Sequence, residues 1–241
     1  MRCPWPIVFL ALACGDPPAE RAVLPPSATF EWPAFTTIER LDIPVVDDHA
    51  APDSLPVQVT FALPDGTFLK VAGRPEETTE GLRLYHYRLD AQGHPQDIAI
   101  SAPAYDSYTM LPTFFGSPGS QGPFLLLANF GEKDSWGQKV MLLDAAGFHD
   151  LGFVDAATHE LRTQEDTAYF RLGNIALRTV VQAKGDTLLL AFTGDSVHLY
   201  DDLQGHLDTM RTAASTGYAI TRDGGFFLRD GGRVLRVAKP A

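Results

Sequence analysis

Lys184–Arg211 reads KGDTLLLAFTGDSVHLYDDLQGHLDTMR, and its punctuation decides the fold class. Thr187–Phe192 is an apolar run rich in strand-forming residues, and Thr193-Gly194-Asp195 is turn chemistry. Ser196–Asp201 alternates apolar and polar side chains, Asp202-Leu-Gln-Gly205 turns again, and His206–Arg211 follows. Period-two runs separated by Gly and Asp predict a three-stranded antiparallel meander.

Asp-x-x-Gly recurs after apolar runs at Asp90–Gly93, Asp144–Gly147 and Asp202–Gly205. Asp at the first position of such a turn caps backbone N–H groups, and Gly at the fourth accepts a positive φ. The runs that enter these turns are Leu82–Leu89, Gln138–Leu143 and Ser196–Asp201. Each is preceded by two more, namely Val57–Ala62 with Thr67–Ala72, Tyr108–Phe115 with Phe124–Ala128, and Arg178–Ala183 with Thr187–Phe192. Shorter segments follow the turns at Ile98–Ser101, Phe148–Val154 and Leu207–Arg211. The tail adds Tyr218–Thr221, Phe226–Arg229 and Arg233–Ala238, a partial fourth unit. Repeated four-stranded units resemble β-propeller arrays, which implies an all-β body of four blades over residues 55–241, with five blades the alternative count. Thr29–Phe35 is the candidate strand to close the ring. A β-sandwich or barrel remains the other architecture, because the same turns mark ordinary hairpins.

The chain has 241 residues, 45% of them hydrophobic and 20% charged, which is enough apolar material for one sizeable core. A net charge of −11 repels phosphate backbones and argues against nucleic acid as a partner.

Residues 1–13 read as an export signal, with Arg2 ahead of the apolar Ile7–Ala13 stretch, which is too short to span a bilayer. Leu10–Cys14, LALAC, resembles the lipobox of bacterial lipoprotein precursors. That resemblance implies cleavage before Cys14, lipidation of its thiol and a protein tethered in the cell envelope, with the outer membrane expected. Ala11 and Leu12 depart from the commonest lipobox residues, while the small Ala13 fits; an ordinary secretory signal is the alternative. Cys3 and Cys14 are the only cysteines, so the exported body has no disulfide to rely on. Residues 14–54, punctuated by Pro17-Pro18, Pro25-Pro26, Pro44 and Pro52, read as an extended tether.

Chemistry-bearing motifs are incomplete. Asp47-Asp48-His49 with Asp53 reads as a solvated turn, and Gly116–Gly122 misses the nucleophile elbow because Pro118 stands where its first glycine belongs. His159-Glu160 begins like a zinc helix signature without the second histidine, leaving Asp155, His159 and Glu160 as weak metal candidates in a loop excursion between the second and third units. Asn129, Glu132, Asp134 and Trp136 form the candidate binding surface, on the expectation that an exposed Trp136 in a polar loop stacks on a sugar or anchors a protein. No catalytic residue and no cofactor are expected. The expected function is non-catalytic binding or scaffolding of a protein or glycan at the envelope. One alternative is a glycan hydrolase gathering Asp134, Asp155 and Asp202 at a central channel; another is an inhibitor-type protein with a basic partner.

Overall fold

A computed structural model describes residues 37–48, 57–73, 81–101, 109–131, 136–164, 167–201 and 206–237, all in the unit Glu31–Ala241. Strands dominate these residues, and the helical elements among them are the short 3-10 turns Ala176–Arg178 and Ala213–Ser215. In chain order the strands begin with Glu39–Leu41 (β1) and Val45–Val46 (β2), then Val57–Ala62 (β3), Phe68–Gly73 (β4), Leu82–Leu89 (β5) and Pro95–Ile100 (β6). Met110–Gly116 (β7), Phe124–Gly131 (β8), Trp136–Asp144 (β9) and Gly147–Val154 (β10) come next. Ala156–Gln164 (β11) and Thr167–Gly173 (β12) precede Thr179–Lys184 (β13) and Thr187–Phe192 (β14). The last are Ser196–Asp201 (β15), His206–Thr212 (β16), Thr216–Thr221 (β17), Phe226–Asp230 (β18) and Arg233–Arg236 (β19).

They form four sheets, ordered β2-β3-β4-β5-β6, β1-β7-β8-β9-β10, β12-β11-β15-β16 and β13-β14-β17-β18-β19. Every strand pair is antiparallel. The protein is therefore all-β, as its sequence predicts, and no sheet closes into a barrel.

The turn reading holds where the turns are described. Asp90 Oδ1 accepts from the N–H groups of Gln92 (2.9 Å) and His94 (2.8 Å), and Gly93 sits at φ +83°. The His94 N–H holds Asp90 below the ordinary carboxylate range. Asp144 Oδ1 accepts from Ala146 and Gly147 in the same way. The third turn, 202–205, lies outside the described residues.

Two expectations about pairing are corrected. β14 and β15 are not hairpin partners: β14 takes β17 as its second neighbour, and the β15–β16 hairpin joins β11. The reason lies in residues 193–195. Thr193 N–H donates to Arg178 O (2.8 Å) and Arg178 Nε donates back to Thr193 O (2.9 Å), so Thr193 prolongs the β13–β14 ladder. Asp195 O accepts from Ala213 N–H (3.1 Å) and so belongs to the β15–β16 ladder. Gly194, at φ +92°, is the crossing point between two sheets, with the Arg178 guanidinium where a side chain would stand. The tail strands consequently complete a five-stranded sheet with β13 and β14 and do not start a unit of their own.

The second correction concerns the tether. β1 pairs with β7 and β2 with β3, and Ile43 between them is buried in the core. Among the described residues, paired chain is already present at Glu39, inside the span read as tether. The proposed closing strand Thr29–Phe35 lies outside the described residues.

The first two sheets share one apolar core. Leu69, Val71, Leu82 and Leu84 of the first meet Met110, Phe114, Phe124, Leu126, Met141, Leu143 and Phe153 of the second. β8 is buried along its whole length, so the second sheet is covered on both faces. The fourth sheet supplies part of that cover, since Phe226 packs on Gly152 closely enough that a Cβ there would lie 2.7 Å from its ring.

A buried histidine gives the first two sheets a pH-dependent element. His86 Nε2 is 2.9 Å from Thr67 Oγ1, and that hydroxyl donates to Asp65 Oδ1 at 2.6 Å. Thr67 spends its proton on Asp65, so Nε2 carries the imidazole hydrogen and buried Nδ1 has no partner among the described residues. Burial lowers the His86 pKa below 6.5, against the opposing pull of Asp65 and Asp144. A depressed histidine pKa means that the unfolded chain takes up the proton first. The contribution of His86 is therefore complete above the ordinary pKa and is lost as pH falls below it. Urea midpoints compared at about pH 7.5 and about pH 5.5 are expected to drop less in His86→Gln than in the parent. Equal drops in the two proteins would remove His86 as the cause.

Candidate functional site

The candidate site is the arm formed by β11 and β12. Their register runs from Thr158↔Gly173 to Gln164↔Thr167, whereas β15 borders β11 only at Ala156 and Ala157. Beyond that base the hairpin carries its own ladder. Alternation then sorts its side chains into two unlike faces. One face holds Ala157, His159 and Leu161 on β11 with Leu172, Phe170 and Ala168 on β12. The other holds Glu160 and Arg162 with Arg171 and Tyr169, and Arg162 Nη2 donates to Glu160 Oε2.

The apolar face changes character along the arm. At its root Ala157 and Leu172 pack with Trp136 in a small buried cluster. Farther out, Leu161 and Phe170 stand directly opposite each other and are 62% and 64% exposed. The His159 ring stacks on Phe170 with centroids 4.3 Å apart and lies 5.9 Å from the His198 ring. His198 pairs in register with Ala157 on one side and Met210 on the other, which extends the same face across the sheet to an exposed methionine. Arg211 secures this sheet to the fourth through Asp230, Nε to Oδ1 at 2.8 Å. Burying an exposed leucine or phenylalanine contributes about 1.5–3 kcal/mol each, so covering this pair would be favourable.

The residues singled out in the sequence fall elsewhere. Trp136 is only 9% exposed, because its indole folds over Gly131, the residue directly across the strand pair. Glycine leaves the room: a Cβ at position 131 would sit 2.1 Å from the ring. Asn129 is buried too, its Nδ2 donating to Leu111 O, to Thr113 Oγ1 (3.0 Å) and to Leu127 O (2.9 Å). The expected surface of Trp136 with Asn129 therefore does not form, since both are interior supports. Glu132 and Asp134 lie outside the described residues. Gln138, in register with Asn129, donates from Nε2 to Ala156 O at 3.0 Å and ties β9 to the root of the arm.

The weak metal set is also dispersed. His159 and Glu160 are consecutive strand residues on opposite faces, and His159 is engaged with Phe170. Asp155 is half-buried just ahead of β11. Among the described residues no group of three or more His, Cys, Asp or Glu side chains is placed to hold a metal ion. Of the carboxylates named for a central channel, only Asp155 is described; Asp134 and Asp202 are not. In the GSPGSQG connection Ser120 Oγ donates to Gly122 O at 2.7 Å, a local turn bond.

No known protein family, curated protein or solved structure matches the chain. The arm itself was missed because HELRTQED looks like polar loop. Its signal was in the following residues: Thr167-Ala-Tyr-Phe-Arg-Leu is strand-prone, with apolar Ala168, Phe170 and Leu172 at alternate positions.

Proposed function

We propose that the chain is a lipid-anchored envelope protein whose all-β body binds or scaffolds without catalysis, using the apolar face of the β11–β12 arm. The observation that carries this reading is the directly opposed pair Leu161 and Phe170, two large apolar side chains left in solvent on an amphipathic hairpin. A face of this kind has hydrophobic contact to offer a partner. Four antiparallel sheets following one another along most of the chain support a propeller-like array with the sheets as blades. Only the β2–β6 sheet is built from consecutive strands; the second adds β1 to β7–β10, the third joins β11–β12 to β15–β16, and the fourth joins β13–β14 to β17–β19. Attachment to a membrane falls to Cys14 on this reading. No described helix is long and apolar enough to cross one.

The test places a photo-crosslinking side chain at position 161 in cells, with position 177 as control because Leu177 is 70% exposed but belongs to a 3-10 turn outside the arm. An adduct from 161 and none from 177 is the expected result. No adduct from 161, or equal labelling from both, sinks the binding role of the arm. Cys14→Ser is expected to release the chain from the membrane fraction; retention there would remove the lipid anchor from the reading.

A further inference from the structure

We propose that the outer edge of β12 pairs antiparallel with the same strand of a second copy, joining two arms into one continuous sheet. The inference rests on the reading of the arm as a contact element and names its partner. Open edges are templates for another chain, and proteins guard them by shortness, charge, proline or cover. The other described edges of this protein carry such guards. β2 has two residues and β1 three; β6 contains Pro95 and Asp97; β19 contains Arg233 and Arg236. β6 and β10 lie against each other, as do β1 and β13, and β16 carries Arg211, which is tied to Asp230 of the fourth sheet. β12 differs: it has seven residues, no proline and one charge, Arg171, and Thr167–Arg171 are all exposed.

The strand is also complementary to itself. A two-fold axis through Phe170 sets Phe170 on the partner's Phe170, Leu172 on the partner's Ala168 and Arg171 on the partner's Tyr169. The last contact occurs twice by symmetry and places a guanidinium against a phenol ring, a cation–π pair. Alternation keeps Phe170, Leu172 and Ala168 on the apolar face with Leu161, so the joined arms share one apolar surface. Moving the axis to Arg171 would oppose two guanidinium groups, which like-charge repulsion disfavours. The axis through Phe170 fixes one register. Each copy carries −11 overall, so long-range repulsion opposes association and salt relieves it. A basic partner would show the reverse dependence.

The experiment uses the full chain carrying Cys3→Ser and Cys14→Ser, followed by sedimentation velocity from about 1 to about 200 μM. A mass that doubles with concentration, at lower concentration when salt rises from about 0.1 to about 0.5 M, is expected. Phe170→Lys puts two ammonium groups on the axis and should move the association midpoint up at least about tenfold, with an unchanged far-ultraviolet spectrum as the folding control. In the same background Phe170→Cys should give a disulfide-linked dimer on air oxidation, because directly opposed Cα atoms lie about 4.5–5.5 Å apart. Thr163→Cys, on the inner strand, should not. Monomer mass throughout, or a dimer indifferent to Phe170→Lys and unlinked by Phe170→Cys, overturns the proposal. A monomer that still gives a position-161 adduct to another molecule overturns only the second copy as partner; loss of that adduct as well removes the arm's binding role.

Discussion

Asp48→Ala is expected to destabilise the protein by about 3 kcal/mol, and adding Lys70→Met to recover most of the loss. Lys70 sits inside the buried run Phe68–Gly73 with its side chain only 5% exposed, and its Nζ is 3.0 Å from Asp48 Oδ1. The ammonium also lies 4.9 Å from the centre of the Tyr87 ring, and Thr60 Oγ1 donates to the same carboxylate oxygen at 3.2 Å. Removing Asp48 leaves a buried cation without its carboxylate, facing the π face of Tyr87. A broken buried pair commonly costs about 3–5 kcal/mol, and the 25% exposure of Asp48 places this one at the lower end. Methionine at position 70 keeps the volume and removes the charge, so the double variant has no orphaned ion. A double-mutant cycle by urea denaturation reads the coupling directly.

The same variant has a second readout. Burial, and then the Asp48 carboxylate, push the Tyr87 phenol up to about 12. Without Asp48 the Tyr87 titration should move down toward ordinary phenol values, visible in the ultraviolet. If Asp48→Ala costs less than about 1 kcal/mol, the Lys70 ammonium reaches water and the pair is no more than a surface bridge.

Asp48 illustrates what the sequence leaves unread. Asp47-Asp48-His49 looks like a solvated turn because nothing nearby requires a carboxylate. The requirement comes from Lys70, alone among apolar residues on a strand two positions across the sheet. Strand placement was more legible: Val57–Ala62, Leu82–Leu89, Thr187–Phe192 and Ser196–Asp201 have the bounds that alternation and Asp turns imply. Those signals are local. They report that the chain reverses, not which edge receives it, so Thr193-Gly194-Asp195 looked like a hairpin and is a passage between sheets. Trp136 failed for a related reason. A tryptophan flanked by Asp, Ser and Gly looks exposed until Gly131 is found opposite it. The arm stayed hidden because the polar residues of HELRTQED, which form one face of its first strand and run into its turn, look like a loop when read in sequence.

Gly217→Ala is the severest single substitution expected at an edge that sequence reading did not foresee, with a loss of about 3 kcal/mol or more. β14 receives β17 after the chain has left to build β15 and β16, with Gly217 opposite Ala191. A Cβ at position 217 would lie 2.4 Å from the Leu190 carbonyl oxygen. The obstacle is backbone within the ladder itself, so no side chain can swing aside. Relief requires β17 to move away from β14, at the cost of ladder hydrogen bonds and of the contact between Tyr218 and Phe192, whose rings lie 6.3 Å apart. Overpacking in a yielding core costs about 1–3 kcal/mol, and an unyielding ladder belongs at or above that range. Gly232→Ala is the control, because nothing lies within 4 Å of a Cβ there and it should change the urea midpoint little. The two variants also separate the observed pairing from the sequential one. Were β14 paired with β15, Gly217 would be free of the Leu190 carbonyl and both alanines would be mild. A large loss at 217 beside a small one at 232 is the result that the crossed connection demands.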